Sequence, residues 1–170
     1  LQAYLDAGAM SGVEGIQRLL GLYYLRADQF DSGKANRAES RKQALKHFLL
    51  SHELSELLRD RIPPDRIGTS QSGFFARRAY VNEKIIELLI AEGKPAEALH
   101  YAELAKARSL QDLLAVERTS TQTVGEEEAR TTDEVLAEWP NEVAAVEYFV
   151  GTEKVWLFLI DTRGTVKVFD

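Results

Sequence analysis

The pattern in this sequence that most resembles chemistry is His52-Glu53-Leu54-Ser55-Glu56, whose first two residues match the HExxH zinc motif. That motif needs a second histidine one helical turn further on, so that two imidazoles reach one metal from the same face. Glu56 stands there instead. His47 lies five residues before His52, which turns the two about 140° apart on a helix. They read as members of a packed or solvated helix face and not as a metal pair. Gly8, Gly12 and Gly15 lack the spacing of a phosphate or dinucleotide loop, and no strand pattern precedes them. A tightly packed or flexible helix start is the better reading. Glu126-Glu127-Glu128 would act as a carboxylate site only inside a folded cleft, and its surroundings read as linker. Serines are plentiful, yet nothing positions one beside His47, His52 or His100. The sequence contains no cysteine, which excludes disulfides, thiolate metal sites and a cysteine nucleophile within it. No catalytic residue, metal ligand or cofactor site is assigned.

Two clusters point to binding instead. Lys34, Arg37, Arg41, Lys42 and Lys46 are offset locally only by Glu39, and would dock an acidic peptide, an acidic linker such as 126–128 or nucleic acid if they are not simply a solvated helix face. Phe74, Phe75, Arg77, Arg78 and Tyr80 are the leading candidates for a protein-binding surface, because aromatic and arginine side chains dominate interface energetics. Consecutive helical residues cannot all face one core. Packing beneath the Pro63-Pro64 loop is the competing reading of the same cluster.

The elements that must position these residues change type along the chain. Ile16, Leu19, Leu20, Tyr23, Tyr24 and Ala27 follow a 3.6-residue period and predict a helix ending near Asp31-Ser32-Gly33. A second helix runs from about Glu39, with Ala44, Leu45, Phe48, Leu49, Leu54, Leu57 and Leu58 as its apolar stripe, and stops at Pro63-Pro64. The stretch to Gly73 reads as loop. A third helix spans about Phe74 to Glu92, with Phe74, Val81, Ile85, Leu88 and Leu89 on a broad face. Gly93-Lys94-Pro95 is a tight interhelical turn: glycine closes one helix, and proline suits the first position of the next. The fourth helix carries Ala98, Ala102 and Ala105, small enough to admit a neighbour, then Leu110, Leu113 and Leu114. Residues 119–142 form an acidic, Ser/Thr-rich linker with room for a short helix near its end. From Val143 the period becomes that of strands: Val143–Val150, Val155–Ile160 and Thr165–Phe169, joined by turns at Gly151–Lys154 and Asp161–Gly164. The second strand is apolar on both faces, so its sheet must be covered by helices, by further chain or by another molecule.

Composition bounds the rest. A hydrophobic share of 45% and a charged share of 28% suit a globular chain. The net charge of −6 argues against nucleic acid as a partner. The longest apolar run, Val155–Ile160, is far too short to span a membrane, and no signal peptide is visible. A cytoplasmic setting is expected. Opening at Leu1 and stopping in a strand-like pattern, the chain reads as an excised piece of a longer protein.

The run Gly93 to Leu99, with Ala102, Ala105 and Ala107-Arg108-Ser109-Leu110, resembles tetratricopeptide repeat sequence, its small and aromatic positions matched by Ala98, Ala102 and Ala105. Ala44, Phe48 and Ser51, preceded by Leu20, Gly21 and Tyr24, form the earlier match. Ala44 and Ala98 lie 54 residues apart, where the repeat period is about 34. The order of this hairpin, an acidic linker, then Val146–Val150 and Val155–Ile160 resembles the junction between such repeats and a CHAT domain, a caspase-like domain. The resemblance implies a catalytic His and Cys downstream of these strands, beyond Asp170, and none is carried onto this sequence.

The expected fold is α+β and predominantly α, with antiparallel tetratricopeptide-like hairpins followed by a three-stranded β-meander. The domains are a helical domain over 1–118, the linker over 119–142 and the first CHAT-like strands over 143–170. The expected function is a non-catalytic protein-interaction and regulatory scaffold module with a protein or peptide ligand. The alternatives are the N-terminal part of an active cysteine peptidase, and a stand-alone helical adaptor that forms homo-oligomers through its C-terminal strands.

Overall fold

The structure, a computed structural model, describes residues 2–30, 34–59, 71–117, 132–140 and 142–170. Among these are five helices, α1 (Gln2–Phe30), α2 (Lys34–Arg59), α3 (Gln71–Ala91), α4 (Pro95–Glu117) and α5 (Thr132–Ala137). Three strands follow, β1 (Ala145–Val150), β2 (Val155–Ile160) and β3 (Val166–Phe169), in an antiparallel sheet of order β1-β2-β3. The class is α+β, as the switch of period at Val143 requires. The break at Asp31-Ser32-Gly33, the Pro63-Pro64 stop and the acidic segment with Glu126-Glu127-Glu128 lie outside the described residues. Helix α5 falls where the end of the linker was expected to turn helical. Among the described residues, no helix is long and apolar enough to cross a membrane.

The chain divides into two compact units, Leu1–Leu88 and Leu89–Asp170. The division falls inside α3, so α4 and the three strands lie in the second unit.

In the first unit, α1 and α2 are antiparallel partners. Phe48 is fully buried, and its ring occupies the space that a side chain at position 21 would need. Glycine is thus required at position 21 for close approach, with no special backbone angle involved. Ala44, Leu45 and Leu58 complete the buried side of α2. On α3, Val81, Asn82, Glu83, Ile85, Ile86 and Leu88 are all buried, so this part of the helix is enclosed on nearly every side.

In the second unit, α3 ends in a paired-hydrogen-bond cap. Gly93, at φ +74°, donates to the Ile90 carbonyl (3.0 Å), and Lys94 donates to that of Leu89 (2.9 Å). Pro95 then opens α4 where a missing N–H costs nothing. Ala98, Leu99 and Ala102 are buried on α4, which packs against β3. Trp156, Phe158, Ile160 and Val166 form the inner face of the sheet. Gly164, also at φ +74°, closes the β2–β3 turn. Asp161 organises that turn by accepting the N–H groups of Arg163 (2.9 Å) and Thr165 (3.0 Å), which hold its carboxyl below the usual range.

Candidate interaction surfaces

The helical unit has a polar seam between its packed helices. Ser51 Oγ donates to Glu14 Oε1 (2.7 Å) across the α1–α2 contact, and Ser55 Oγ donates to the Ser51 carbonyl (2.8 Å). His47 bonds through Nδ1 to Gln17 Oε1 (2.7 Å) and stacks on Tyr24, with ring centroids 5.4 Å apart and planes within 5°. An amide oxygen only accepts, so Nδ1 carries the proton. Burial, aided by Lys46, pushes the His47 pKa down. His52 makes the equivalent bond to Asn82 Oδ1 on α3 (2.8 Å). The two histidines therefore reach different helices, as their angular separation on α2 requires.

This seam fixes helix register. Slipping α1 or α3 by one turn would leave buried donors and acceptors unpaired, at about 1–3 kcal/mol for each.

The cluster expected to bind protein separates into different environments. Arg78 is buried, with 7% of its surface exposed, and donates to Glu56 Oε1 on α2. Its charge serves the α2–α3 contact. Arg77, one residue earlier and 100° round the helix, is exposed. Tyr80 is half-buried, with the Lys84 ammonium 5.5 Å from its ring centroid. Phe74 and Phe75 lie outside the residues whose side chains are described. Of the basic cluster, Arg37, Lys42 and Lys46 are exposed and Arg41 is half-buried.

The largest departure from the sequence reading is on α1. The single apolar stripe read from its period is split: Leu20, Tyr24 and Ala27 are half-buried, whereas Ile16, Leu19 and Tyr23 are 56%, 58% and 66% exposed. Val13 and Phe30 extend the exposed set at steps of three, four and seven residues, which is one helix face. The reason is geometric. The doublets Leu19-Leu20 and Tyr23-Tyr24 each span 100°, and α2 covers only the side that carries Glu14, Gln17 and Gly21.

The sheet has a second apolar surface. Val146, Tyr148 and Val150 on β1 pair with Leu159, Leu157 and Val155, and Leu157 and Leu159 pair in turn with Phe169 and Lys167. These cross-strand partners share a face, and it is the face turned away from the buried Trp156, Phe158 and Ile160. At the β1 edge, Lys106 of α4 pairs with Glu147 and lies 5.2 Å from the Tyr148 ring centroid. Leucines 110, 113 and 114 lie outside the described side chains. No family model, curated protein or solved structure matches the chain.

Proposed function

We propose that the chain is a non-catalytic protein-interaction module whose helical unit receives an amphipathic helix along α1. The single observation that carries this reading is the exposed stripe Val13, Ile16, Leu19, Tyr23 and Phe30 on a helix whose other side is already packed. A row of apolar side chains at helical spacing, on a helix held by polar contacts to α2, offers anchors at the i, i+3 and i+7 positions that helix-in-groove recognition uses. Arg77 is exposed and is a candidate for polar selectivity. The resemblance to tetratricopeptide repeats supports the same mode, with packing and polar recognition and no covalent step. Under this reading the strands belong to a CHAT-like region, and the chain is the scaffold or regulatory arm of such a protein.

The test is selection of helical peptides from a displayed amphipathic library against the folded chain. Selected peptides should lose most of their affinity for the triple variant Ile16→Lys, Leu19→Lys, Tyr23→Lys. Equal binding to that variant would remove α1 as the site.

A further inference from the structure

We infer that the outer face of the three-stranded sheet is a homodimer interface, on which a second copy of this chain stacks its own sheet. The inference is independent of the α1 reading, because it rests on different residues in a different compact unit.

The face is built from three rows fixed by strand register. Val146, Leu159 and Lys167 form one row, Tyr148, Leu157 and Phe169 the next, and Val150 with Val155 the last. Seven of these eight residues are apolar. Val146 is 64% exposed, Tyr148 58%, Val150 65% and Phe169 53%. A half-solvated antiparallel sheet normally alternates apolar inside with polar outside. Here β2 is apolar on both sides, with Trp156, Phe158 and Ile160 buried on one and Val155 and Leu157 exposed on the other.

Area selects the occupant. Side chains of these types at these exposures present on the order of 500–600 Å² of surface, at the top of what a monomer usually leaves in one patch. Two copies together would bury on the order of 1,000–1,200 Å², the lower end of specific interfaces. The face is also compatible with itself. Its only charged member is Lys167, and the margin adds Lys154, Glu153 and Asp170 with the Lys106–Glu147 pair at the β1 edge, three cations against three anions in all. Stacking two copies therefore brings no net like-charge repulsion. Leu157 sits in the middle row of the central strand, so a two-fold that superposes the faces brings the two Leu157 side chains together. Twisted sheets stack in this way at about 10 Å separation.

The absence of cysteine makes the test clean. In sedimentation over a range of micromolar concentrations, the 170-residue chain should show a monomer–dimer equilibrium. Leu157→Glu should weaken it by roughly 30-fold or more, since it sets two carboxylates against each other across the axis. If that variant fails to fold, as judged by circular dichroism, Val150→Glu at the rim takes its place. Leu157→Cys should form a disulfide dimer under mild oxidation when folded but not in urea. Arg163→Cys, 82% exposed in the β2–β3 turn, should not. A chain that stays monomeric at the highest concentration overturns the proposal. So does a dimer that Leu157→Glu leaves intact, which would assign association to another surface.

Discussion

A Cβ placed on Gly21 of α1 would come within 2.8 Å of the Phe48 ring on α2, closer than real side-chain contacts allow. Phe48 is fully buried and has no room to yield. Gly21→Ala gains roughly 0.5–1 kcal/mol of helix propensity. Overpacking costs about 1–3 kcal/mol, so the net effect should be destabilising, by up to about 2.5 kcal/mol. Gly12, with nothing within 4 Å of its Cβ position, is the control. Gly12→Ala should stabilise. Urea midpoints of the two variants should move in opposite directions.

Arg78 and Arg77 should part company in the same assay. Arg78→Ala leaves Glu56 without its buried partner and should cost about 2–3 kcal/mol, somewhat below the figure for a fully buried pair because Glu56 retains 23% exposure. Arg77→Ala should stay within about 0.5 kcal/mol. Equal losses at both positions would contradict the division of the cluster into a structural and a surface residue.

His47 makes the helical unit sensitive to acid. Its folded pKa lies below the ordinary value of 6.5, so the neutral ring is favoured by folding. The corresponding stability is complete above about pH 6.5 and is lost as the pH falls from there through the folded pKa. Urea midpoints at pH 7.5 and 5.5 should differ less for His47→Gln than for the wild type. An unchanged difference would place the titration elsewhere.

Gly164 holds the β2–β3 turn at φ +74°, and a Cβ there would meet the Leu136 carbonyl at 2.8 Å. Gly164→Ala should therefore cost about 1–3 kcal/mol and loosen the sheet against α5. Amide exchange in β3 would report it.

Local order was largely readable from the residues. Gly93-Lys94-Pro95 predicted a helix end and a helix start, and the cap hydrogen bonds form there. The three strands sit within two residues of their expected limits because alternation and turn chemistry are short-range signals. Which face of α1 is buried was not readable. Leu19-Leu20 and Tyr23-Tyr24 offer two overlapping stripes, and only the position of α2 decides between them. The polar partnerships Glu14–Ser51, Gln17–His47 and Asn82–His52 join residues 30 or 37 positions apart, beyond the reach of any local pattern. Whether Arg78 served a surface or a packed contact was not readable, because its partner Glu56 lies 22 residues away.

The central claim is that α1 receives a helix on its exposed stripe. The direct measurement places a photoreactive residue at Leu19, or at Arg163 as a control, and adds a library-selected amphipathic peptide. Adducts at Leu19, abolished by Ile16→Lys with Tyr23→Lys and absent at Arg163, are the predicted result. Adducts at Arg163, or none at Leu19 while the peptide remains bound, would contradict it.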